Sequence, residues 1–232
     1  MFVLPKLPYP YAALEPILSA DTLHTHHDKH HRTYVEKTNE LAAKAGLESR
    51  ILEDVVREAH AKGDKKLFNN AAQAWNHAFF WACMTPQKAQ PSAKLSGAIT
   101  QAFGEVDAFK DAFVKEGVAH FGSGWVWLVT GSEGLKVIST HDADDTLIRD
   151  GLYPLLVCDL WEHAYYLDHK NDREGFLTKW VDSVANWAFA EQQLAASEGV
   201  GEGFHYPQPV ADLEAANDRG KTQTDKFPPP PH

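Results

Sequence analysis

Through residues 19–124 the apolar positions recur at helical spacing, and at WVWLVT (125–130) the period changes. WVWLVT and LKVIST are β-branched and aromatic runs separated by GSEG, which is the signature of a hairpin. YPLLVCD (153–159) is a third predicted strand, and GFLTKWVDSVANWAFAEQQLAAS reads as one closing helix. A short antiparallel sheet inside a mostly helical chain defines an α+β class. The predicted organisation is an all-helical N-terminal unit over 1–90, a helical hairpin domain, followed by a unit over 91–199 in which a small three-stranded antiparallel sheet is surrounded by helices. Residues 200–232 turn to Gly, Pro and charge, end KFPPPPH, and are expected to be a disordered or draped tail.

In the first unit, SADTLHTHHDKHHRTYVEKTNELAAKAG predicts one helix, capped by Ser19 or Asp21 and stopped at Gly46. ESRILEDVVREAHAKG predicts a second, and KLFNNAAQAWNHAFFWACM a third that Pro86 closes. QKAQPSAK (87–94) is a polar linker, after which helices are predicted to break at Gly104 and Gly117.

Composition removes several classes of function. The 232 residues carry a net charge of −10, which is the wrong sign for a nucleic-acid binder. No apolar run reaches the ~20 residues that span a bilayer, and MFVLPKLPYP has no apolar core of a secretory signal. Two cysteines, Cys83 and Cys158, make no disulfide framework and fit a cytoplasmic setting, both read as small buried hydrophobes. The 13 His beside so few Cys direct any metal toward imidazole and carboxylate ligands.

Three stretches offer such ligands. In LHTHHDKHHRTY, His26, His30 and Tyr34 recur every four residues and share one helical face, leaving His24, His27 and His31 as surface or supporting groups. His77 lies among aromatics in QAWNHAFFW, one turn after Gln73. Asp159 and His163 follow the apolar run YPLLVC in DLWEHAYY. Taken singly, each has an ordinary alternative: a solvated face, a core histidine bonded to a carbonyl, a helix cap. Together, three imidazoles and one carboxylate make a donor set suited to Fe or Mn, with Zn chemically open.

LPYPYAALEP, HHDKHHRTYV, FNNAAQAWNHAFFW, FGSGWVWLV and DLWEHAYY followed by NWAFA, in this order over roughly residues 1–197, resemble the iron/manganese superoxide dismutases. The resemblance implies metal ligands at His26, His77, Asp159 and His163, one ion per subunit, with solvent as a fifth ligand. It implies Tyr34 and His30 at the entrance for superoxide, a small anion, and Trp81, Trp127 and Trp161 as walls. Glu162 would cross a homodimer interface to the partner's His163, and Tyr166 to the partner's His30; a tetramer is the alternative assembly. Lys29, Arg32 and Arg173 are candidates for a basic rim, with Asp172 and Glu174 in NDREGF opposing it.

The family places a Gln amide against the solvent ligand. Iron-type members draw it from the helix of the second His, and manganese-type members from the hairpin. Gln73 holds the first place and Ala143 of STHDAD the second, which is the iron pattern, whereas His27 and Phe80 resemble manganese-type choices. Iron is expected, with activity on either metal as the alternative. Two rival functions remain at this stage: a non-haem iron oxygenase with two His and one carboxylate, and a metal-binding protein without chemistry.

Overall fold

A computed structural model describes residues 1–208. The first predicted helix forms as three continuous pieces: α1 (Ala20–Thr25), a π turn (His26–His31) and α2 (Arg32–Ala45). Ser19 Oγ accepts from Thr22 N at 3.2 Å and caps it, and Gly46, at φ 70°, ends it in the left-handed conformation. Single π turns inside α-helices recur at functional sites; this one holds His26.

α3 (Leu52–Ala61) buries Leu52, Val55, Val56 and Ala59. α4 (Lys65–Ala82), capped by Asp64 onto Leu67 N, is buried without interruption from Ala71 to Trp81. A helix apolar all round belongs at the centre of a domain, and α2, α3 and β3 all pack on it.

α5 (Ala93–Phe103) stops at Gly104 as expected, but α6 (Val106–Ala119) runs through Gly117. The reason is packing. A Cβ on Gly117 would lie 2.6 Å from Leu177 Cδ1, so the missing side chain admits a neighbouring helix rather than ending its own.

β1 (Gly124–Gly131) and β2 (Gly134–His141) form the hairpin over Ser132 and Glu133, and β3 (Tyr153–Asp159) pairs antiparallel on the other side, giving the order β2-β1-β3. The α+β class with a three-stranded antiparallel sheet is thus as expected. The register sets Trp125 opposite both Thr140 and Asp159. Pro154, which cannot donate to a ladder, sits on the edge strand.

After β3 come a 3-10 turn (Glu162–Ala164) and α7 (Tyr166–His169). The single closing helix is corrected to two, α8 (Arg173–Ser183) and α9 (Trp187–Ser197). The break is made by long-range contacts. Val184 O accepts from Thr85 N and Cys83 O from Asn186 N, while Asn186 Oδ1 caps Phe189 N.

The stretch past 200, expected to be disordered or draped, is packed where it is described. Phe204 lies against Trp75, Phe79 and Phe189, and Tyr206 is 1% exposed. The remainder of that tail, 209–232, lies outside the described residues.

Candidate metal centre

Four distant pieces of chain bring His26, His77, Asp159 and His163 together, with one donor atom from each lying within 4.8 Å of the others. His26 opens the π turn, and His77 projects from the buried middle of α4. Asp159 ends β3, where its Oδ1 accepts from Trp161 N at 2.8 Å and turns the chain. That turn delivers His163 from the 3-10 segment. Asp159 Oδ2 lies 3.1 Å from His26 Nε2, 3.7 Å from His77 Nε2 and 3.3 Å from His163 Nε2.

These four atoms are buried, yet none has a hydrogen-bond partner. An unpaired buried polar atom costs about 1–3 kcal/mol, so four aimed at one point constitute a site built for something else. The donors fit a metal ion. Ligands about 2.0–2.2 Å from a common centre stand roughly 3.0–3.7 Å apart at right and trigonal angles, which is the spread of these distances.

Protonation also suits ligation. Burial, with neighbouring imidazoles adding to it, pushes the pKa of His26 far below the ordinary histidine value; burial does the same to His77. Both are neutral at pH 7, as metal binding requires. His77 Nδ1 donates to Gln73 O at 2.7 Å, which fixes the tautomer that leaves Nε2 bare.

Aromatic rings enclose the cluster: Trp81 at 4.8 Å from His26, Trp125 at 5.0 Å from His77 and Trp161 at 5.5 Å from His163, between centroids. Trp125 replaces the expected Trp127. Both point to one face of β1, but the register places Trp125 beside Asp159, whereas Trp127 stands opposite Val157, a layer away against Phe79. Trp127 Nε1 donates to Thr140 Oγ1 instead.

His27 and His31 are buried behind Trp81 and are not surface groups. His31 Nδ1 accepts from Trp81 Nε1 at 3.0 Å while its Nε2 donates to Ala74 O. His24 is exposed and stacks on Tyr11. Of the two readings left open for His31, surface or supporting, the structure selects the supporting one, whereas the sequence carries no signal for Trp125, which depends on pairing between remote strands.

Tyr34, Gln73, Ala143 and Trp161 line a cavity of about 250 Å³ beside the cluster, from which the Tyr34 ring reaches His77 at 5.3 Å and the Trp161 ring His163 at 5.5 Å. The two alternative Gln positions therefore meet in one space, one filled by Gln73 and the other by Ala143. Gln73 Oε1 accepts from Trp125 Nε1 at 3.1 Å, which leaves its buried Nε2 as the donor facing Tyr34. Burial raises the Tyr34 pKa, against the opposing effect of a hydrogen bond with Gln73. His30 is half-buried and stacks on His163 at 4.2 Å; burial lowers its pKa, with the His163 charge adding to this.

Glu162 and Tyr166 are exposed. Arg173 shares a groove with Glu162 and His163 but spends its guanidinium on the carbonyls of His120, Gly122 and Leu160 and on Tyr165 Oη. Glu174 lines a different groove, between α6 and α8, and Asp172 caps α8 at Gly175 N. Neither carboxylate is placed as expected: Glu174 faces away from Arg173, as consecutive helical residues do, and Asp172 spends its carboxylate on the cap. Lys29 and Arg32 are exposed on the π turn and the start of α2.

Fold and centre together define a metalloprotein with one enclosed, three-imidazole, one-carboxylate site. Residues 1–85 match the model of the iron/manganese superoxide dismutases' alpha-hairpin domain, and 91–193 that of their C-terminal domain. The chain belongs to the iron/manganese superoxide dismutase family. It is similar to the protein named Superoxide dismutase [Fe] of Entamoeba histolytica, at 49% identity over 193 residues covering 83% of this chain and 99% of the relative. Proteins of the same name from Synechocystis and Escherichia coli are 46% and 43% identical, each over 84% of this chain and 99% of their own length.

Proposed function

We propose that this protein is a superoxide dismutase in which His26, His77, Asp159 and His163 hold one iron ion per chain. Two superoxide anions and two protons become dioxygen and hydrogen peroxide, one anion losing an electron and the other gaining it. Bound iron supplies the ferric/ferrous couple through which that electron passes. The observation that carries this reading is the convergence of four unpartnered, buried donor atoms in a chain of this family.

The protein's own groups account for the rest. Trp81, Trp125 and Trp161 keep bulk water from the donors, and a dry surround strengthens each electrostatic contact within it. Gln73 Nε2, left free while Oε1 is held by Trp125, donates a hydrogen bond into the cavity that Tyr34 shares. The reduction half consumes protons; the raised Tyr34 pKa keeps Oη protonated at neutral pH, a donor at the cavity wall. His30, stacked on His163, is assigned to the entrance with it. Exposed Lys29 and Arg32 supply local positive charge against the net negative field.

Iron is favoured by Gln73 on α4 facing Ala143, and by the names of the relatives. Manganese remains the alternative through His27 and Phe80. An oxygenase site uses two His and one carboxylate and leaves positions open; four converging donors favour the dismutase. A scaffold without chemistry has no use for an amide held by Trp125 and turned toward Tyr34 beside the donors.

Glu162 and Tyr166 are assigned to a homodimer contact. Both side chains are exposed on the segment that carries His163, as a contact with a second copy of the chain requires. The same reading assigns the chain to the cytoplasm; among the described residues, no helix is long and apolar enough to cross a membrane. Reconstituting metal-free protein with iron or manganese and following superoxide decay tests the reading. Activity of the iron form is expected, and activity confined to the manganese form contradicts the iron assignment.

A further inference from the structure

Asp142 is one of two non-glycine residues among the described residues with positive φ, at 50°. Its carboxylate points to solvent, with the side chain 59% exposed beside His141. Its main chain does not. The carbonyl oxygen accepts from Trp125 Nε1 at 3.1 Å and from Trp161 Nε1 at 3.2 Å, while Asp142 N donates to Ser123 O at 3.0 Å. Trp125 Nε1 is shared, since it also donates to Gln73 Oε1 at 3.1 Å. One carbonyl thus gathers two walls of the centre and, through Trp125, the amide that faces the cavity.

We propose that Asp142 is a positioning residue for the reaction: through its left-handed backbone, not its carboxylate, it fixes Trp125 and Trp161 and so orients the Gln73 amide. With Oε1 tethered by Trp125, Gln73 can present only Nε2 to the cavity. Without the tether the amide is free to flip and offer an acceptor where a donor is needed. The left-handed conformation is open to Gly, tolerated by Asn and Asp, and strongly disfavoured by β-branched residues. The proposal rests on the dismutase reading for its activity readout alone.

The test compares the iron-loaded full chain with Asp142→Asn, Asp142→Gly and Asp142→Val. Asn removes the charge and keeps the backbone; Val, also neutral, opposes the backbone. Relative to Asn, Val is expected to lose about 10–100-fold in kcat/KM, the cost typical of losing a group that orients a metal site. Its pH profile is expected to move and its near-UV indole bands to change, while Asn and Gly keep the parent profile. Val indistinguishable from Asn in rate, profile and indole bands overturns the proposal. Should Val fail to fold or to retain iron, Trp125→Phe, which keeps the ring and deletes the N–H, decides the matter: an unmoved pH profile overturns it. A parent protein inactive toward superoxide removes the dismutase reading instead, and unchanged indole bands in Val then still reject the role of Asp142.

Discussion

His31 is 0% exposed, donates from Nε2 to Ala74 O at 2.9 Å, and at Nδ1 accepts from Trp81, the indole packed on His26. Burial, with the His27 charge adding to it, holds its pKa at about 3. Below the ordinary value of about 6.5 the unfolded chain takes up a proton that the folded one refuses. Stability is therefore fully present above about pH 6.5 and falls as pH drops toward 3, by about 1.4 kcal/mol per pH unit for this group. Denaturant midpoints at pH 7 and 5 should separate further in the parent than in His31→Gln; equal separation contradicts the assignment. Gly124 is constrained differently, since a Cβ there would meet the Thr140 carbonyl oxygen of the paired strand at 2.2 Å. The backbone cannot yield as a side-chain tip can, so Gly124→Ala should lower stability by roughly 2–3 kcal/mol, read as a drop in Tm. At this scale the residues alone make His26, His77, Asp159 and His163 candidates with ordinary alternatives, and it is the ordered family motifs that single them out as ligands. The sequence does not mark Trp125 over Trp127 or reveal His31 as buried, because those outcomes are decided by strand register and by contact with α4.

At the scale of elements, periodicity identifies α3, α4 and the hairpin, and composition identifies the stops at Gly46 and Gly104. Gly117 and the α8/α9 break are missed for one reason: each is imposed by a neighbour rather than by local propensity. The break joins the end of the metal-bearing helix to the closing one, because Asn186 caps Phe189 N through Oδ1 and donates from Nδ2 to Ala82 O at 3.0 Å. Asn186→Ala removes both bonds and should cost about 1–2 kcal/mol. Measured by denaturant titration of the iron-loaded protein, an unchanged midpoint would show that the cap carries nothing. The π turn is likewise invisible to a helical-period reading, which is why that reading cannot choose between surface and supporting roles for His27 and His31.

Across the whole molecule, the family match ends at residue 193, yet Phe204 and Tyr206 bind the two halves of the chain together. Tyr206 N donates to Glu53 Oε1 at 2.7 Å and its hydroxyl to Val3 O at 2.8 Å, while Phe204 N donates to Gln193 Oε1. Glu53 Oε1 also receives Trp75 Nε1, from the helix of Gln73 and His77. Nothing in a Gly- and Pro-rich composition reveals this docking, because the apolar cleft that receives it is assembled only in the fold. A chain ending at residue 201 should keep its activity at 25 °C and lose several degrees of Tm; Tyr206→Ala alone should cost roughly 3 kcal/mol. An unchanged Tm in both would mean that the segment is a passenger.

The convergence of four donors on one redox ion is tested most directly by measuring metal content and superoxide decay on the same samples of parent protein, chelated protein, chelated protein given back iron, and Asp159→Ala. One iron per chain, activity lost on chelation and regained with iron, and neither retained by Asp159→Ala are the results expected. Superoxide decay that persists in the metal-free protein, or full iron and activity in Asp159→Ala, would contradict the account.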